Sequence, residues 1–155
     1  MNDPARHSTV GSKKILVMDD TPTVADLIRE MLLSMGHQVE LCLAVDEALG
    51  KFAPAKFDLV ITDYMMPRMN GMEFAHVLRQ RAPEQLILLI TGSTFSMQDS
   101  LARELPVNRL LQKPFSVAEF QEIVAAMLMT AKPTTLAVPT VQDRSCNLGN
   151  QTARA

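Results

Sequence analysis

The chain is short of basic charge, of cysteine and of long apolar runs, and each shortage excludes something. Lysine and arginine total 15 against 17 acidic residues, a formal net charge of −2. No local run of basic residues makes up the deficit, so the electrostatic footprint of a nucleic-acid binder is missing. No apolar stretch approaches the ~20 residues that a membrane-spanning helix needs. The first dozen residues, MNDPARHSTVGS, are polar and lack the hydrophobic centre of a secretion signal. There are two cysteines. Cys42 lies in an apolar run and Cys146 in a polar tail, which reads as one buried and one loose thiol rather than a disulfide. His7, His37 and His76 are scattered, without metal-ligand spacing, and none is placed as a phosphodonor. The expectation is a cytoplasmic protein with no nucleic-acid partner and no membrane association.

What is present is ordinary globular composition, 47% apolar and 21% charged over 155 residues. That length supports one domain with a proper core and little more. Short apolar runs alternate with helical periodicity from Lys13 onward. KILVM reads as a strand. Val24, Leu27, Ile28, Met31, Leu32 and Met35 then recur at helical spacing. Thr21 is placed to cap that helix, Pro22 to occupy its first turn and Gly36 to end it. QVELCL, FDLVIT, LILLIT and RLLQ read as four further strands. Between them fall a short helix around Val45 to Phe52, a helix opened by an Asn70/Glu73 capping box, and a weak helix at 95–105. Ser116 with Glu119 opens a last helix carrying Phe120, Val124, Met127 and Leu128.

Five strand–helix units in strict alternation imply a parallel sheet with right-handed crossovers. Nearly continuous apolar strands imply that both faces are covered. The fold class is α/β, a doubly wound five-stranded sheet in three layers. Residues 13–131 form the domain. Residues 1–12 and 132–155 are polar, proline- and threonine-punctuated and without periodicity, and are read as flexible ends.

Such sheets bind ligands at the carboxyl ends of their strands. The first strand ends on Asp19 and Asp20, the third on Asp63, the fourth on Thr91 and the fifth on Lys113. Each residue alone has a bland reading as a turn former, a strand end or a solvated lysine. A matched set on four strand ends out of five is harder to dismiss. Three converging carboxylates cannot all stay ionised without a cation. A hard divalent ion such as Mg²⁺ satisfies such an open oxygen site. A cation beside Lys113 and Thr91 suits an anion with several oxygens, and so phosphoryl transfer. A carboxylate can itself accept the group as an aspartyl phosphate. Asp63 is the candidate acceptor, because Asp19 and Asp20 are paired and better suited to hold the ion.

ILVMDD, DLVITDYMMPRMNGMEF, ILLITGS and LLQKPF together resemble the receiver domain of bacterial two-component response regulators, over about 13–129. The resemblance implies a flavodoxin-like sheet of strand order 2-1-3-4-5 with five helices. It implies phosphorylation of Asp63 by a phosphohistidine on a sensor histidine kinase or histidine phosphotransfer protein. It implies Mg²⁺ held by Asp19, Asp20, Asp63 and the carbonyl of Met65. Thr91 matches the switch hydroxyl and Lys113 the residue that pairs with the phosphoryl group. The Lys113–Pro114 bond is typically cis in that family. The surface expected to change on phosphorylation spans 95–128. No separate substrate turnover is expected.

The chain departs from the family pattern at several points. Leu110 stands where many members carry an aromatic residue, so a ring rotation cannot couple Thr91 to output in that form. Met65 and Ser93 occupy positions that tune hydrolysis of the acyl phosphate. Met65 cannot orient a water by a strong hydrogen bond, which predicts a phosphoryl lifetime not set for the fastest signalling. Gly92 leaves room for the phosphodonor. Met65, Met66, Met69 and Met72 make the loop after Asp63 methionine-rich, suited to packing or to an adaptable docking surface.

The sequence leaves no room for an output domain, so a stand-alone receiver is expected. It would bind a downstream target protein or relay the phosphoryl group. Two alternatives remain: an aspartyl phosphatase of the haloacid dehalogenase type, and a pseudo-receiver that binds without phosphorylation. The phosphatase pattern puts Asp-x-Asp on the first strand, whereas here the pair is adjacent and Asp63 stands on the third.

Overall fold

Alternate residues of a strand face opposite sides of its sheet, and this chain uses both sides for apolar packing. In strand β1 (Lys14–Met18), Ile15 and Val17 face one layer and Leu16 and Met18 the other. All four are fully or almost fully buried. A strand with two apolar faces has to be covered twice, and the chain supplies helices on both sides.

A computed structural model describes residues 11–92 and 105–130. After β1 come helix α1 (Pro22–Ser34), strand β2 (Gln38–Cys42), helix α2 (Val45–Lys51) and strand β3 (Leu59–Asp63). Helix α3 (Gly71–Arg81) and strands β4 (Ile87–Thr91) and β5 (Arg109–Gln112) follow, and helix α4 (Val117–Thr130) closes the set. The sheet is parallel throughout, in the order β2-β1-β3-β4-β5. That is the flavodoxin-like order expected. Four of the five expected helices are among the described residues. The expected helix at 95–105 falls largely outside them, as do Ser93, His7, Cys146 and most of both chain ends.

Helices α1 and α4 cover one face, where Ile28, Leu32, Phe120 and Val124 meet Ile15, Val17, Ile61 and Ile90. Helices α2 and α3 cover the other, where Ala48, Phe74 and Leu78 meet Leu16, Met18, Val60 and Ile87. Cys42 belongs to this second layer as a free, buried thiol, and burial pushes its pKa up to about 11.

The helix ends follow their local chemistry. Asn70 accepts from the amides of Met72 and Glu73 while Glu73 accepts from the amide of Asn70, a complete capping box. Ser116 and Glu119 form the same reciprocal pair. Gly36 takes the left-handed conformation, φ +85°, after α1. Thr21 corrects the expectation. It holds the N-cap position and Pro22 follows it, but the Thr21 side chain makes no capping bond. Its amide is instead tied to Asp19 Oδ1 at 2.9 Å.

The order of strands decides where the site lies. β3 is central, with β1 and β4 on either side, and β2 is at the edge. The carboxyl ends of β1, β3, β4 and β5 therefore share one rim of the sheet.

Candidate metal and phosphoryl site

Each residue on this rim is held by the backbone beneath it. Asp19 follows β1, and its amide donates to the Cys42 carbonyl at 3.2 Å. Asp63 ends β3 opposite Ile90, and the next amide, Tyr64, donates to the Ile90 carbonyl at 2.8 Å. Thr91 ends β4 opposite Gln112, and its carbonyl accepts from the Lys113 amide at 2.8 Å. The Lys113–Pro114 bond is cis.

Three carboxylates meet here as expected. Asp19, Asp20 and Asp63 each offer an oxygen within 4.8 Å of the others. Asp19 is 1% exposed and Asp63 7% exposed, so two of the three charges are largely withdrawn from water. Burial, more than anything else, pushes the Asp19 pKa up, and the charges of Asp63 and Asp20 push it further. The Thr21 amide and Lys113 oppose that rise.

Asp63 makes two defined contacts. Lys113 Nζ donates to Oδ1 at 2.8 Å, and the Met65 amide donates to Oδ2 at 3.0 Å. A single lysine cannot balance three carboxylates. Asp19 Oδ2 is buried and has no hydrogen-bond partner. A buried, unpartnered oxygen on a carboxylate clustered with two others is what a hard cation would satisfy. The donor set fits Mg²⁺.

The remaining predicted positions are less uniform. Thr91 is buried at the rim, 4% exposed. The Met65 side chain is exposed, so of the methionine-rich loop only Met66 and Met69 pack against the α2–α3 layer. Leu110 is half-buried and sits opposite Leu89; the core-filling residue of β5 is its neighbour Leu111. Gly92 is exposed, and a Cβ there would touch Lys113 Cδ at an ordinary 3.8 Å.

Sequence reasoning gave no role to Gly71. A Cβ on it would lie 2.3 Å from the Asp63 carbonyl oxygen and 2.5 Å from Leu89 Cδ1. The first residue of α3 is thus pressed against the peptide that carries Asp63. The signal available was a glycine directly after the capping asparagine, where a helix former would serve better if space allowed.

Comparison with known proteins agrees with this geometry. The family model of the response regulator receiver domain matches residues 15–125. PhoP of Bacillus subtilis, the alkaline phosphatase synthesis transcriptional regulatory protein, is 34% identical over 117 residues, 76% of this chain and 49% of PhoP. Response regulator MprA of Mycobacterium tuberculosis is 32% identical over 122 residues, 79% of this chain and 53% of MprA. The chain thus spans about half the length of these curated relatives.

Among solved structures, response regulator TrrA of Thermotoga maritima, in complex with Mg²⁺ and BeF, is 32% identical with a TM-score of 0.66. The match covers 74% of this chain and 98% of that one. Chemotaxis response regulator CheY4 of Vibrio cholerae is 27% identical with a TM-score of 0.67, covering 76% and 99%. Receiver domains generally bind Mg²⁺ at an acidic cluster, interact with histidine kinases or phosphotransfer proteins, and are not metabolic enzymes. No helix among the described residues is long and apolar enough to cross a membrane. By family match, strand order and relatives alike, the chain belongs to the response regulator receiver domain family.

Proposed function

We propose that this chain is a phosphorylation switch in two-component signalling, with Asp63 as the phosphoryl acceptor. The observation that carries the reading is the placement of Asp63. Its carboxylate is paired with Lys113 at 2.8 Å and faces the Asp19–Asp20 pair within 4.8 Å.

Asp19, Asp20 and Asp63 would hold Mg²⁺, with the Met65 carbonyl as a further ligand. The ion, when bound, neutralises carboxylate charge and stabilises the charge on the transferring group. The rest of the chemistry belongs to the chain. The Met65 amide orients the Asp63 carboxylate. An Asp63 oxygen attacks the phosphorus of a phosphohistidine on a sensor kinase or phosphotransfer protein. An O–P bond forms, the N–P bond breaks, and the freed imidazole nitrogen takes a proton from solvent. Lys113 exchanges its contact with the carboxylate for one with the new phosphoryl oxygens, and the Thr91 hydroxyl donates to another. These contacts exist only in the phosphorylated state, so they bias the conformational equilibrium. Output is by binding a target protein or by passing the phosphoryl group onward.

Phosphotransfer profiling tests this reading. The wild type and Asp63→Ala are presented to the kinases and phosphotransfer proteins of the source cell. Asp63-dependent labelling by one donor is expected. Labelling of neither protein, or of both equally, would overturn the assignment.

A further inference from the structure

Thr62 immediately precedes Asp63, and its side chain is fully buried. On the same face of the sheet its neighbours Val60 and Ile87 are apolar. Valine has nearly the shape of threonine, so packing alone gives the hydroxyl no purpose. The hydroxyl has a specific use. It donates to the Asp63 carbonyl at 3.1 Å and lies 3.8 Å from the Met66 sulfur. Its one proton serves the carbonyl; the thioether contact is longer and weaker.

The hydrogen bond acts at the first peptide of the segment 63–66, and the Met66 sulfur packs near its last. Between them the Met65 amide donates to Asp63 Oδ2 at 3.0 Å. The same carbonyl is confined from outside by Gly71, where a Cβ would lie 2.3 Å from it. The Tyr64 carbonyl, in turn, accepts from the Gly71 amide at 2.9 Å. The Asp63–Tyr64 peptide is therefore held by the Thr62 hydroxyl and by the start of α3.

We propose that the Thr62 hydroxyl is a positioning group for the phosphoryl acceptor. It sets the tilt of the Asp63–Tyr64 peptide, so that the Met65 amide stays on the carboxylate. The proposal rests on Asp63 being the acceptor. Thr62 touches no reacting atom and acts through Asp63 and Met65. Small displacements of a reacting group cost rate steeply.

The test separates hydroxyl from volume. Thr62→Val keeps the shape and loses the hydroxyl, while Thr62→Ser keeps the hydroxyl and loses a methyl. Each is labelled with acetyl phosphate and Mg²⁺, and its thermal midpoint is measured. Thr62→Val is expected to label about three- to tenfold more slowly than wild type, with an unchanged or higher midpoint. Thr62→Ser is expected to label within about twofold of wild type, with a lower midpoint. Thr62→Ala, which also lacks the hydroxyl, repeats the rate arm should the valine variant fail to fold. Wild-type rates in the variants without the hydroxyl would overturn the proposal, as would a serine variant as slow as the valine one. Asp63→Asn is run in parallel. If it still labels, the acceptor assignment has failed, a result distinct from failure of the Thr62 role.

Discussion

Lys113 Nζ lies 2.8 Å from Asp63 Oδ1, although 50 positions separate the two residues. Strand β4 stands between the strands that carry them. Lys113 reaches across it because its amide is pinned to the Thr91 carbonyl at the end of that strand. With Asp63 as the proposed acceptor, the ammonium stands where phosphoryl charge would develop. Removing a charge-stabilising group of this kind costs about 10²–10³ in rate. Lys113→Ala is therefore expected to lower Asp63 labelling by acetyl phosphate by about a hundredfold. Lys113→Arg should restore only part of it, since a planar guanidinium does not reproduce the geometry of a compact ammonium. Labelling time courses at fixed Mg²⁺ measure both. A wild-type rate in the alanine variant would show that Lys113 has no part in acceptance.

Asp19 shows what a cluster of buried carboxylates costs the fold. Its carboxylate is 1% exposed, one oxygen has no partner, and burial and like charge both raise its pKa. In chelator, Asp19→Asn removes a buried charge and should stabilise the fold by about 1 kcal/mol, a trade of function for stability. Adding Mg²⁺ should raise the melting midpoint of the wild type and not that of the variant, because a ligand stabilises only what binds it. Tyr64, next to Asp63, is the one tyrosine of a chain without tryptophan, so its emission offers a second report of binding. Equal Mg²⁺ shifts in the two proteins would remove Asp19 from the site.

The sheet and its rim were legible because two strong periodicities alternate. Apolar runs such as ILVM and LVIT marked buried parallel strands, and the carboxylates, Thr91 and Lys113 each fell at a strand end. The convergence of Asp19, Asp20, Asp63 and Lys113 followed from topology alone. Finer features depend on the third dimension. Thr21 had the right residue type and position for a cap, but its hydroxyl makes no capping bond, and residue type alone does not set a side chain's rotamer. Gly71 carries no side chain to reason from; its importance is the proximity of a carbonyl that only the folded loop brings near. Thr62 looked like strand filling, since a hydroxyl and a methyl cannot be told apart by hydrophobic pattern.

His37 was also hidden, dismissed for lack of metal-ligand spacing. It is 5% exposed, and its Nδ1 accepts from the Lys13 amide at 3.3 Å. That bond requires a neutral ring with its proton on Nε2. Burial lowers the pKa from the ordinary 6.5; Asp58 opposes this and Lys13 adds to it. The fold therefore prefers the neutral form, while the unfolded chain protonates first as pH falls. Stability from this group is intact above about pH 6.5 and is lost as pH falls through the lower folded value. Urea unfolding at pH 7.5 and 5.5 should show a lower midpoint at the acid pH. His37→Asn, which keeps an acceptor and cannot protonate, should lose less over the same interval. Equal losses in both proteins would assign the acid sensitivity elsewhere.

Gly71 offers the sharpest link between packing and the proposed acceptor. Its position at the start of α3 puts the prospective Cβ 2.3 Å from the Asp63 carbonyl and 2.5 Å from Leu89 Cδ1. The Leu89 side chain can turn, but the carbonyl belongs to a peptide held in the sheet through Tyr64 and Ile90. Helix α3 or the Asp63–Tyr64 peptide must move. Overpacking of this kind costs about 1–3 kcal/mol, despite alanine's better helix propensity. Gly71→Ala is therefore expected to lower the urea midpoint by a corresponding amount and to slow Asp63 labelling. A variant of comparable instability far from the rim, Phe52→Leu beneath α2, controls for stability alone. Under conditions where both are fully folded, only Gly71→Ala should label slowly. Equal labelling by the two would mean that α3 yields to the methyl group and leaves Asp63 where it stands.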